Sequence, residues 1–136
     1  MTTIPDLTGL KPAVAQAITE VLAKFEPSDV KCEADGQGGA RIAFGPVQLS
    51  NTYEQRETWI GAHVPPLVPY CDIYPVFLRG DLRRSDGKAL TTPLTQNHTF
   101  MSQSATQVSR RSNRRDATRE TVSMKFLKVL HWVNSQ

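Results

Sequence analysis

Apolar side chains recur along this chain in two rhythms, and the switch between them marks the expected elements. Over residues 12–25, Val14, Ile18, Val21, Leu22 and Phe25 return at the spacing of one helical face, and Pro12 suits a first turn. Pro27-Ser28-Asp29 ends that helix. The rhythm then shortens to alternation, which predicts strands over 30–34, 40–49, 54–64 and 73–79. In the second of these, Ile42 and Phe44 alternate with Arg41 and Ala43; in the third, Trp59 is expected to face inward. The glycine-rich run Gly36-Gln37-Gly38-Gly39 reads as the turn between the first two. Helical spacing returns over 119–133, where Val122, Phe126, Val129, Leu130 and Val133 form a stripe and Lys125 and Lys128 are assigned to the polar side. Asp116 or Thr118 can cap its start, and Glu120 complements its dipole.

The stretches without either rhythm are equally informative. Residues 63–72 carry Pro65, Pro66 and Pro69, which cannot pair inside a sheet and force an extended or turning path. Residues 80–94 hold turn chemistry at Asp86-Gly87 and no core pattern. Residues 99–119 show no regular hydrophobic period and are expected to form a loop. Short links between successive strands indicate an antiparallel meander. The expected architecture is therefore α+β and two-layered: N-terminal helix, four-stranded meander, long loop, C-terminal helix. Val14, Ile18, Val21, Trp59, Phe77, Phe126, Leu127 and Leu130 are its expected core.

Length fits one domain spanning the 136 residues, with its core over about 10–133. An apolar fraction of 39% argues against wholesale disorder, and no apolar run is long enough to cross a bilayer. Cys32 and Cys71 give neither a disulfide framework nor metal-ligand spacing, and Cys32 reads as a small core residue. With no export signal apparent, a reduced, cytoplasmic setting is expected. No phosphate loop, dinucleotide fingerprint or His/Cys metal set occurs, so neither cofactor nor metal is expected. The net charge of +3 is unevenly spread: residues 81–119 hold eight Lys/Arg against three Asp, a local +5, leaving about −2 elsewhere.

That basic region centres on Gln107-Val108-Ser109-Arg110-Arg111-Ser112-Asn113, which concentrates hydroxyls, amides and paired guanidinium groups. Such a loop suits chemistry on an acyl group or the docking of a phosphate backbone. An aromatic content of 7%, with no aromatic interleaved among the cations, argues against single-stranded nucleic acid. A noncatalytic partner-binding domain, and a small nucleic-acid-binding domain using residues 110–119, are the alternatives.

The order of elements resembles the ubiquitin-conjugating enzyme fold. Val68-Pro69-Tyr70-Cys71-Asp72-Ile73-Tyr74-Pro75-Val76-Phe77-Leu78 looks like that family's tyrosine- and proline-rich lead into its fourth strand. Gln107-Val108-Ser109-Arg110-Arg111-Ser112-Asn113 resembles the loop of diverged bacterial relatives that occur beside ubiquitin-like proteins and activating enzymes. The departure is that no His-Pro-Asn tripeptide exists and no cysteine follows Cys71, which precedes the fourth strand. The resemblance thus implies a conjugating enzyme without a catalytic cysteine. It would accept a ubiquitin-like protein from an adenylating activating enzyme as a serine oxyester and pass it to a protein target, with no membrane involved. Under that implication Ser109 is the first candidate nucleophile, set between Gln107 and the cations Arg110 and Arg111. Ser112, with Asn113 as oxyanion donor, is the second, and Ser102 and Ser104 come third. His98 is the nearest candidate base, His63 a more distant one, and His131 a surface residue.

Overall fold

The computed structural model describes residues 5–112 and 116–136. Two helices, α1 (Pro12–Phe25) and α2 (Val122–Asn134), lie with a six-stranded sheet of β1 (Asp29–Ala34), β2 (Ala40–Gln48), β3 (Glu57–Val64), β4 (Val76–Arg79), β5 (Leu94–Phe100) and β6 (Gln103–Val108). Strand order is β1-β2-β3-β4-β6-β5, antiparallel throughout. The α+β class and both helices follow the sequence pattern.

One face of the sheet carries the main core. Ile42, Phe44, Ile60, Ala62, Val64, Val76, Leu78 and Val108 meet Val14, Ile18 and Val21 of α1 and Val122, Phe126, Val129 and Val133 of α2. The rungs Ile42–Ala62 and Ala62–Val76, continued by Val76–Val108 and Val108–Leu94, show how pairing register aligns these side chains in one row. Three ties fix the end of α2: buried Tyr53 donates its hydroxyl to the Val133 carbonyl at 2.7 Å, while Asn134 accepts from Ser50 N–H and donates to the Gln48 carbonyl.

Several expectations need correction. Residues 94–108 are a hairpin, so the first half of the expected loop is strand and the four-stranded meander is extended by two strands. The turn lacks glycine: Met101 and Ser102 both adopt positive φ, 50° and 64°, so the usual turn signal is absent. A register shift between Thr95 and His98, with Asn97 at φ 68°, also breaks the alternation in β5. In the 80–94 stretch, Leu82 is buried and Leu90 packs against the core, so an irregular path still contributes apolar anchors.

Trp59 and Phe77 point to the opposite face of the sheet. There they join Phe100 in a second, smaller cluster with Ala43 and Ala105, Phe100 stacking on Phe77 at 4.6 Å. Gly61 makes room for it: a Cβ at this position would stand 2.9 Å from the Phe100 ring and 2.6 Å from the Ile42 carbonyl oxygen. Leu127 is 37% exposed and Leu130 only partly buried, because the stripe of α2 is centred on Val122, Phe126, Val129 and Val133. Finally, α2 begins at Val122. Its cap is Thr121, whose hydroxyl accepts from Met124 N–H, while Asp116 caps the preceding turn through Thr118.

Candidate functional site

Three segments meet where β6 ends. The chain leaving Val108 runs past Pro93, whose carbonyl accepts from Ser109 N–H at 3.0 Å, and reaches the first turns of α2. The proline-rich connector before β4 supplies Asp72 from a third direction. At their junction lies Lys125, whose side chain is 7% exposed. Its Nζ donates to the Arg110 carbonyl at 2.8 Å, to Ser112 Oγ at 3.0 Å and to Asp72 Oδ2 at 3.2 Å. Asp72 also accepts from Ser112 N–H at 2.8 Å and, through Oδ1, from Ile73 N–H at 2.9 Å.

Assignment of Lys125 to the polar side of the helix is therefore corrected. With about 100° between successive residues, position 125 lies about 40° from position 129, inside the apolar stripe. The aliphatic stem follows that stripe while the ammonium reaches the loop. The spacing Val122, Lys125, Val129 was the available signal. Asp72 carried none beyond its place in the connector.

The two charged groups respond differently to their surroundings. Burial acts to raise the Asp72 pKa, but the Ser112 N–H, the Lys125 charge and hydrogen bond, and the Ile73 N–H together hold it below the ordinary carboxylate value. Burial lowers the Lys125 pKa; Asp72 opposes this by charge and hydrogen bond, while the nearby charges of Lys128 and Arg110 reinforce it. The asymmetry has a physical source. Asp72 keeps two backbone donors besides its cation, whereas Lys125 has two like-charged neighbours. This ammonium therefore gives up its proton more readily than a surface lysine would.

Around this junction lies a cationic pocket of about 190 Å³ lined by Arg110, Arg111, Ser112, Lys125, Lys128 and Val129. The Arg110 guanidinium sits over the Trp132 ring, 4.6 Å from its centroid, and that of Arg111 over Tyr74 at 4.0 Å. Lys128 pairs with Glu120 at 2.6 Å.

The remaining candidates separate. Ser109 Oγ accepts from Gln107 Nε2 at 2.9 Å, a contact that supplies no base. His98 lies on β5 opposite Ala105 and bonds Thr95 Oγ1 at 2.9 Å, whereas Ser109 follows the Leu94–Val108 rung further along the hairpin. Ser102 is in the turn and Ser104 on β6, at the far end of that hairpin. His63 bonds Asp35 at 2.7 Å beside the β1–β2 turn, and His131 is exposed on α2. Asn113 lies outside the described residues. Among the described residues no group of His, Cys, Asp and Glu could hold a metal, and no helix is long and apolar enough to cross a membrane. The chain matches no known protein family, no curated protein and no solved structure.

Proposed function

We propose that this protein is an acyltransferase that carries a ubiquitin-like protein as an oxyester on Ser112, with Lys125 as the proton acceptor. The observation that carries this reading is the 3.0 Å contact between Lys125 Nζ and Ser112 Oγ. Of the three atoms Nζ touches, the Arg110 carbonyl and the Asp72 carboxylate can only accept. When Lys125 is the neutral amine, its two N–H groups satisfy those acceptors and its lone pair is left facing the one partner that can donate, the Ser112 hydroxyl. A hydroxyl nucleophile beside a desolvated amine is the arrangement such chemistry requires.

Ser112 Oγ bonds to the carbonyl carbon of the incoming thioester while its proton passes to Lys125 Nζ. The carbonyl reforms as the C–S bond breaks, and the thiolate takes the proton back from Nζ. Asp72 offsets the transient ammonium, and the positive pocket favours negative charge developing on the carbonyl oxygen. Because the amine is the active form, the rate rises with pH as Lys125 deprotonates.

The test is incubation with the partner ubiquitin-like protein, its activating enzyme and ATP. A covalent adduct is expected that survives thiol reductants and is released by hydroxylamine. It should be absent in Ser112→Ala, slowed by Lys125→Met and unchanged in Cys32→Ala and Cys71→Ala. An adduct retained by Ser112→Ala and lost in Ser109→Ala would overturn the assignment; one cleaved by dithiothreitol would overturn the oxyester. A noncatalytic partner-binding domain is the second reading, favoured by the full set of hydrogen bonds that makes Lys125 an effective structural tie. Absence of any adduct would select it.

A further inference from the structure

The charges lining the pocket do not cancel. Lys125 faces Asp72 and Lys128 faces Glu120, each at ion-pair distance. That leaves Arg110 and Arg111, for which no carboxylate lies within ion-pair distance among the described residues. Neither guanidinium donates a hydrogen bond to a described residue, yet both are positioned, one over Trp132 and the other over Tyr74. A guanidinium resting on a ring keeps its fork of N–H donors for another partner, and the ring reduces the side-chain entropy lost when that partner arrives. Donors held in place but unused, beside the proposed nucleophile, are the mark of a receptor.

We infer that Arg110 and Arg111 bind a peptide segment carrying two carboxylates, and that the protein donated to Ser112 presents such an acidic segment next to its reacting end. This rests on the acyl-transfer reading for the identity of the partner, but the binding itself does not require it. Peptide carboxylates fit better than a phosphate on the placement of these cations. The cations sit over two different rings, offering two separate forks where a phosphate would need convergent ones.

The test uses the unaltered chain and three probes at fixed ionic strength: Ac-Ala-Glu-Ala-Glu-Ala-amide, its glutamine counterpart Ac-Ala-Gln-Ala-Gln-Ala-amide, and inorganic phosphate. Two-dimensional NMR of the arginine Nε–H and tryptophan indole signals reports site and affinity together. The glutamate peptide is expected to bind about tenfold more tightly than the glutamine peptide, as expected when charge-assisted bonds replace neutral ones. Shifts should centre on Arg110, Arg111 and Trp132, and Arg110→Gln with Arg111→Gln should remove the difference between the peptides. Equal binding of the two peptides, no binding, or shifts centred on other arginines would overturn the proposal. Phosphate binding as tightly as the glutamate peptide would overturn it in favour of a phosphate site. Since no acyl donor is present, this result and the Ser112 adduct can fail independently.

Discussion

Replacing Lys125 with Met tests whether the junction of loop, connector and helix holds this end of the fold together. Methionine keeps an apolar stem of similar length in the stripe of α2, so little cavity forms. What disappears is the ammonium, and with it a donor to the Arg110 carbonyl, to Ser112 Oγ and to Asp72 Oδ2. Removing one partner of a buried ion pair costs about 3–5 kcal/mol, chiefly because the other charge stays behind. Asp72 retains two backbone N–H donors and its side chain is 16% exposed, which places the expected loss at the lower end, about 3 kcal/mol. For a chain of this length that corresponds to a fall in Tm of about 10 °C.

Calorimetry of Lys125→Met, Asp72→Asn and the double variant reads both the loss and its origin. If the two groups stabilise each other, the double variant should be more stable than the sum of the single losses predicts, by about 1–3 kcal/mol. Amide exchange at Ser112 should accelerate in Lys125→Met, since the ammonium no longer secures the carboxylate that receives this N–H. A shift in Tm below about 2 °C would put Lys125 among ordinary surface residues and refute the buried-junction account. Strict additivity would refute the coupling.

Three further outcomes follow from other parts of the fold. Ser102→Gly should raise the denaturation midpoint, adding about 0.5–1 kcal/mol, because Ser102 is held at φ 64° in a two-residue turn where glycine carries no Cβ penalty. Gly61→Ala should destabilise by about 1–3 kcal/mol in urea unfolding, because its Cβ would meet a backbone carbonyl and the Phe100 ring. Acid should weaken the fold: Asp35 is held below its ordinary value by His63 and by the Gln37 and Gly39 N–H groups, and Asp86 at about 2 by its hydrogen bonds to Arg84 and Lys88. A lowered carboxylate contributes stability that is complete above its unfolded pKa and lost as pH falls through the folded one, so stability should decline from about pH 4 downward. Asp35→Asn should flatten that slope in pH-dependent denaturation.

Legibility of the fold tracked how locally each element is determined. Helix α1 could be read residue by residue because Pro12 and the apolar stripe lie within it and the stop at Pro27 follows two residues beyond its end. Strands β1 and β2 were visible through their alternation and the glycine-rich turn. The hairpin of β5 and β6 was not, since its turn uses Met101 and Ser102 in place of glycine and its first strand is interrupted at Asn97. Nor could alternation say which face of the sheet the helices cover. Trp59 and Phe77 are apolar and periodic, yet they belong to the smaller cluster on the opposite face.

The candidate site shows the same division at a finer scale. Its hydroxyls and guanidinium groups were conspicuous because they stand together in the chain, and this proximity favoured Ser109 with Gln107 and His98 near it. Chemistry depends on neighbours in space, and the side chains that contact Ser112 are 13 and 40 residues away: Lys125 and Asp72. Lys125 looked solvated because a lysine in a helix usually is; only its angle between Val122 and Val129 said otherwise. A charged residue inside an apolar stripe must find a partner where the stripe ends, or carry the full desolvation cost of its charge. Its position at the first turns of α2 confines that partner to whatever packs over the helix start, which the irregular, proline-constrained and serine-rich segments supply. Two of the three stretches that showed no hydrophobic rhythm, 63–72 and 99–119, thus converge on this lysine, and at that junction their path is set by polar contacts to a single buried charge.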